Sequence, residues 1–346
     1  MADKQHLSLK MRTTAALPRP ARAIIAAAVM MPAARMLVGW PRTSPRKDAA
    51  IDDDDPHAGM ELQRSHYSDS DHNSVESENM AATEAVGDFL ATYRLDSAQA
   101  DDRDGFERST ASSLLLHRTF GEKWDLDMAL GSIRNLAGES LIGSIDGALN
   151  VNDLSVTGKI SRDTVETILA QAIRLNLRQT DFSIDASDSI VENLSADLEA
   201  HYLLFTDGNR ANQINLTSKY VLAGAPGNLS VGYELSYAAY AMSMNDGYWS
   251  PQLLLSHEAL LQWVYGWEEF YGKLELSGGY QTVRMPNHGS SAAADNYGGG
   301  SGYDVSATGT LGMRPSANTR IEYSLSGERS VGWSSALSAI NFRFNF

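Results

Sequence analysis

Apolar and polar residues alternate one for one at the end of the chain. Ile340, Phe342, Phe344 and Phe346 fall on one side of a period-two strand, and Ala339, Asn341, Arg343 and Asn345 fall on the other. The same alternation recurs upstream. Ile321, Tyr323 and Leu325 oppose Glu322, Ser324 and Ser326. Tyr303, Val305, Ala307, Gly309, Leu311 and Met313 oppose Asp304, Ser306, Thr308 and Thr310. Leu274, Leu276 and Tyr280 oppose Lys273, Glu275 and Ser277; Leu229, Val231, Tyr233, Leu235 and Tyr237 oppose Ser230, Glu234 and Ser236. Ile214, Leu216 and Tyr220 oppose Asn215, Thr217 and Lys219, and Leu194, Ala196 and Leu198 oppose Ser195, Asp197 and Glu199. Each segment runs about 9–11 residues, the length with which a tilted strand crosses the hydrocarbon layer. In a soluble protein, a bare aromatic row on an edge strand would recruit other chains. A bilayer accepts it.

The pattern therefore predicts an all-β fold, a transmembrane antiparallel β-barrel. Its apolar faces end in Tyr, Trp or Phe, as at a membrane interface, and its opposite faces carry charges of both signs, as in a wet interior. Residues 59–346 supply about 18 residues for each of sixteen strands with its connection, so sixteen is the expected count and fourteen or eighteen the competitors. Turn signals punctuate this stretch at Asp104-Gly105, Asp207-Gly208-Asn209, Pro226-Gly227-Asn228, Asp246-Gly247 and Pro315-Ser316-Ala317-Asn318. The small residues between Pro286 and Gly302 suit a long loop outside the barrel or folded into its mouth. From Glu61 to Ile168 the alternation is less clean, and strand boundaries there stay open.

Residues 1–58 do not share the pattern. Lys4, Lys10, Arg12, Arg19 and Arg22 precede an apolar stretch from Ala23 to Ala34, the layout of a secretory leader over residues 1–40. Residues 41–58, rich in Pro, Arg and Asp, read as a disordered linker. The mean hydropathy of −0.28 agrees with a barrel, in which only every second residue must be apolar. The chain has no Cys, which excludes disulfides, thiolate metal sites and cysteine nucleophiles. From Gly59 onward there are nineteen Lys and Arg against thirty-seven Asp and Glu, so nucleic acid is not an expected partner.

Few residues suggest bond-making chemistry. Asp69-x-Asp71-x-Asn73 has the opening spacing of a calcium loop, but Ser74 and Met80 stand where an EF-hand needs Gly and Glu, so an Asx-rich hairpin turn is the better reading. His201 shares a face with Glu199 and Asp197, and His257 adjoins Glu258, without a nucleophile elbow or a metal-ligand spacing. No catalytic residue, metal site or cofactor is assigned. The inner faces are more informative: Asp197, Glu199, Glu234, Glu275, Asp304, Glu322 and Glu328, with Lys219, Lys273 and Arg343, would line a hydrated, mostly negative passage. Tyr240, among them, offers either a sliding surface for sugar rings or a packing contact for a loop.

Two resemblances extend this reading. Phe342, Phe344 and Phe346 resemble the terminal aromatic signal that outer-membrane barrels present to their insertion machinery. Asp207-Gly208-Asn209-Arg210, followed by Asn245-Asp246-Gly247-Tyr248-Trp249-Ser250-Pro251-Gln252, resembles the C-terminal barrels of bacterial exopolysaccharide exporters. These are the outer-membrane subunit of cellulose synthase complexes and the poly-N-acetylglucosamine porin. Tyr67-Ser68-Asp69-Ser70-Asp71 and a strand from Ile168 to Asp181 are similar to that group as well. The resemblance implies a pore in the bacterial outer membrane that passes an extracellular polysaccharide made by an inner-membrane synthase. Members of the group carry a long periplasmic region of helical repeats. Two repeats of about 34 residues do not fit in the 58 residues before Gly59, so the expectation is either a stand-alone pore with a separate scaffold as partner or a degenerate or differently used relative. A general diffusion porin and an outer-membrane enzyme are the alternatives.

Overall fold

The computed structural model describes residues 58–69, 73–102, 105–121, 123–151, 153–165, 170–191, 193–223, 227–242, 250–266, 269–284, 300–330 and 333–345. Residues 1–57, with the expected leader and most of the linker, lie outside the described residues, as does Phe346. The described chain forms sixteen strands: β1 (Gly59–Asp69), β2 (Ser74–Val86), β3 (Phe89–Asp102), β4 (Gly105–Phe120), β5 (Trp124–Asn135), β6 (Gly138–Val151), β7 (Leu154–Thr164), β8 (Arg178–Val191), β9 (Leu194–Phe205), β10 (Arg210–Ala223), β11 (Gly227–Tyr240), β12 (Leu253–Gly266), β13 (Phe270–Arg284), β14 (Gly300–Ser316), β15 (Thr319–Ser330) and β16 (Trp333–Asn345). One short helix, α1 (Ala170–Arg174), interrupts them.

Each strand pairs antiparallel with its sequence neighbours, and β1 pairs with β16 from Gly59↔Asn345 to Asp69↔Ser335. Closure leaves no edge, so the ladder satisfies the backbone groups without water, as a spanning sheet requires. The connections on the side of the termini, such as 87–88, 152–153 and 317–318, are two or three residues long. On the other side, three connections are long: 165–177, 241–252 and 285–299. Short turns mark the periplasmic end and long loops the outer end. The strands run 11–17 residues, longer than the hydrocarbon layer demands, so they extend beyond it at their ends.

Alternation decides which side chains meet lipid. Ile340, Phe342 and Phe344 are 36%, 41% and 47% exposed and point outward, while Ala339, Asn341, Arg343 and Asn345 point inward. Aromatic residues gather at both ends of the outer wall. Trp263 and Tyr265 stack at 5.8 Å near the periplasmic turns, and Tyr280 meets Tyr303 edge-on at 5.6 Å near the outer loops. The chain is an outer-membrane β-barrel, with an apolar belt outside and a polar, charged interior.

The turn signals fare unevenly. Asp207-Gly208-Asn209 forms the β9–β10 turn, with Gly208 at φ 89° and Asn209 N–H donating to Asp207 Oδ1 at 2.9 Å. Residues 317–318 close β14 to β15. Asp104, Pro226 and the pair Asp246-Gly247 lie outside the described residues. Asp69 and Asn73 make the Asx-type turn: Asn73 N–H donates to Asp69 Oδ1 at 3.0 Å and Asn73 Nδ2 to Asp69 Oδ2 at 2.7 Å.

Candidate functional site: a strapped lumen

The alternation that aims Phe344 at lipid aims its neighbours at the lumen. Every proposed lumen residue points inward: Asp197, Glu199, Lys219, Glu234, Lys273, Glu275, Asp304, Glu322, Glu328 and Arg343. They are not a uniform ring. Glu275 accepts from Gln262 Nε2 at 2.9 Å and pairs with Lys273 at 3.1 Å. Glu322 accepts from Arg320 at 2.8 Å and from the Tyr271 hydroxyl, and Arg320 Nε donates to that same hydroxyl at 2.7 Å. Arg343 stands 3.5 Å from Glu61 across the β1–β16 seam. Glu258, hydrogen-bonded by Ser256 and Ser277, faces the same sector of wall as the buried Asp304 and Glu328. The inner face of β12–β15 thus carries five carboxyl groups, two of them paired with Lys273 and Arg320.

The first half of the barrel contributes inward groups that the sequence pattern did not single out. Arg94 forks onto Asp96 with contacts of 2.9–3.0 Å, and Asn79 donates to the same carboxylate. His117 Nδ1 lies 2.7 Å from Asp127, and Thr119 donates to Asp125 at 2.7 Å. Across the β8–β9 pair, His201, already noted beside Glu199 and Asp197, places its Nδ1 3.0 Å from Asp181. Ser183 is the register partner of His201 across β8–β9. His257 points outward against Tyr233, away from Glu258. No group of three or more His, Asp or Glu able to hold a metal occurs among the described residues.

The dominant internal feature among the described residues is α1 with its flanks in the β7–β8 connection. The stretch expected as a strand from Ile168 to Asp181 instead holds α1 and only the start of β8. The helix ends in a Schellman motif: Asn176 sits in the left-handed region at φ 52°, its N–H bonds Ile173 O at 3.0 Å, and Leu177 N–H bonds Ala172 O at 3.0 Å. A five-residue helix does not persist alone in water. Packing holds it. Ala170 and Ile173 cluster with Tyr67, Val75, Ala100 and Leu337 from β1–β3 and β16. Val165, Ala172 and Leu177 cluster with Leu203, Phe205 and Ala211 from β9 and β10, with Tyr240 against them. Tyr240 therefore packs on the loop and on Phe205, its ring 5.9 Å away.

Polar contacts lock the same segment on a third side. Arg174 pairs with the buried Glu107 of β4 at 2.9 Å, Asn135 Nδ2 donates to Ile173 O at 3.0 Å, and Asn176 Nδ2 donates to Ser140 at 3.0 Å. Val165 and residues 170–177 thus contact opposite walls of the outer mouth, and this part of the connection is termed the strap. The sequence carried a weak hint of it, since the connection is thirteen residues long and apolar at Val165, Ile173 and Leu177.

No protein-family model matches the chain, and no curated protein matches it. Solved structures resemble it in fold. A structure described as a bacterial polysaccharide outer membrane secretin superposes with a TM-score of 0.65 at 11% identity, covering 84% of this chain and 100% of that one. CdiB from Acinetobacter baumannii gives 0.50 at 8% identity, covering 84% and 60%. Acinetobacter baumannii OccAB3 gives 0.45 at 8%, covering 84% and 99%.

Proposed function

We propose that this barrel is an outer-membrane pore for an extracellular polysaccharide, with the strap as its outer constriction. The observation that carries the reading is the interior: each wall sector presents carboxylates, hydroxyls and amides to the lumen, a surface that wets a polymer without gripping it. The name of the polysaccharide secretin, whose full length the fold matches, supports the same cargo class. The acid excess of the chain, with Glu258, Asp304 and Glu328 facing the lumen together, disfavours uronic-acid and sulfated chains, so a neutral or partly amine-bearing polymer is the cargo that fits. Passage along a hydrated lumen calls for no catalytic residue and no cofactor, and none is assigned in this reading. The partners in this reading are outer-membrane lipid, the barrel-insertion machinery, an inner-membrane synthase and a separate periplasmic helical-repeat scaffold.

A gene deletion tests it. Polymer synthesis should continue while surface polymer disappears, and the intact gene should restore it. Unchanged surface polysaccharide would refute export, and loss of a highly anionic polymer would refute the charge argument. The strap favours a second reading, a diffusion porin, because a segment fixed across the mouth suits sieving of small solutes. Under that reading, deletion lowers small-solute uptake and leaves surface polymer intact.

A further inference from the structure

The outer wall over β5–β10 is not evenly convex. On its outward face Gly147 of β6 stands directly opposite Gly158 of β7, and Gly143 stands opposite Arg162. The surface sinks there between Leu130, Ile145, Ile160, Phe182, Ile184 and Ile214, leaving a depression of about 1010 Å³. Gly143 is required by packing, since a Cβ there would meet the Ala129 carbonyl oxygen at 2.6 Å, but Gly147 and Gly158 are not. A Cβ at Gly158 would meet nothing within 4 Å, and one at Gly147 would meet only a backbone oxygen at 3.9 Å. The depression is open to an external occupant with an apolar body.

Charge says which one. Arg162 lines the depression on its outer side, exposed, with Nη1 3.4 Å from Thr180 as its hydrogen bond. Along the same outer rim the exposed side chains of Arg134, Arg210, Arg284 and Arg329 also project outward, without a side-chain partner among the described residues, although Glu139 is the cross-strand neighbour of Arg134. Arg64 and Arg108 on that rim are engaged by Glu76 and Glu78 and by Gln99. Near the periplasmic turns the outward Arg118 is paired with Asp88 at 3.0 Å. Unpaired outward arginines thus gather at the outer leaflet, at headgroup depth, where Arg is tolerated and its planar fork matches phosphate.

We propose that the β5–β10 depression is a site for a phosphorylated lipid of the outer leaflet, with an acyl chain over Gly147 and Gly158 and a phosphate on Arg162. The test uses the full chain in detergent, titrated with bisphosphorylated lipid A or its dephosphorylated form and read by native mass spectrometry. Arg162→Gln should weaken binding of the phosphorylated form about tenfold, as loss of a charge-assisted hydrogen bond does, and leave the dephosphorylated form unaffected. Gly158→Leu, which fills the floor, should weaken both. Arg329→Gln, away from the depression, should change neither by more than about twofold. Equal binding by all variants would overturn the proposal, as would displacement by inorganic phosphate alone. A change of oligomeric state in Gly158→Leu with lipid binding unaltered would overturn it too, by assigning the depression to a second copy of the chain. Arg162→Gln leaves the backbone untouched, so its result stands even if the glycine variant fails to fold.

Discussion

Loosening the strap should open the pore, and the size of the effect follows from its contacts. Ile173 is 5% exposed and is the one large strap side chain in its cluster with Tyr67, Val75, Ala100 and Leu337. Truncating a buried Ile to Ala costs about 2–5 kcal/mol. The lower end applies, because one flank of the helix can relax into an aqueous lumen. The Arg174–Glu107 pair contributes less, since the Arg174 side chain is 41% exposed and such pairs are worth under about 1 kcal/mol. A loss of about 2 kcal/mol raises the ratio of undocked to docked strap about thirtyfold. Leu177→Ala removes the matching contact on the opposite wall, so Ile173→Ala with Leu177→Ala should hold the strap off the wall for most of the time. Single-channel recording in planar bilayers reads this as a larger conductance and a longer open time. Because the chain has no Cys, the pair Ile173→Cys and Ala100→Cys gives the converse, a mouth closed by oxidation and reopened by reductant. Conductance and open time unchanged in the double alanine variant, with its strand-rich fold intact, would refute the assignment of the strap as the constriction.

Replacing Glu275 and Glu322 with Gln should shift the selectivity of the reconstituted pore toward anions, measured as a reversal potential in a salt gradient, because both carboxylates face the lumen. Leu276→Arg, on the lipid face midway along β13, should cost roughly 2–4 kcal/mol in reversible unfolding from vesicles, far more than Glu275→Gln on the neighbouring inward position; equal effects would contradict the inward and outward assignment. Deleting Phe346 tests the resemblance of Phe342, Phe344 and Phe346 to a terminal insertion signal: the yield of assembled barrel, read as the heat-modifiable gel band, should fall.

The second half of the barrel was legible because its outward positions are large. In β11, Leu229, Val231, Tyr233, Leu235 and Tyr237 mark the lipid face without ambiguity. The first half was blurred because lipid-facing positions there include Gly143, Gly147, Gly158, Thr110 and Ser112, which leave no hydropathy contrast with the lumen side. The lumen residues Arg94, Asp96, His117 and Asp127 were hidden for the same reason. The strap was illegible on other grounds. Ala170-Gln171-Ala172-Ile173-Arg174 is too short to signal a helix, and the contacts that hold its segment come from strands about 25 to 165 residues distant, which no local pattern records.

The seam between β1 and β16 concentrates the topological difficulty of the whole molecule. Every other pairing joins sequence neighbours and can form as a local hairpin, whereas Asn341 reaches Glu61 across 280 residues. In a fully flexible chain, bringing segments this distant together would cost about 5 kcal/mol by the logarithmic law; once the hairpins have formed, the cost is instead that of bending the open sheet until its two edges meet in register. Until it is met, both terminal strands present unpaired backbone to their surroundings, which hydrocarbon does not tolerate. The geometry at the junction is demanding as well, since Gly59 leaves no room for a Cβ against the Phe344 carbonyl. Assembly therefore behaves as fifteen fast local steps followed by one slow annealing event. A substitution such as Gly59→Ala should lengthen the lifetime of the open sheet, and with it the time the chain depends on a template that shields both free edges, while the interior of the barrels that do close stays the same.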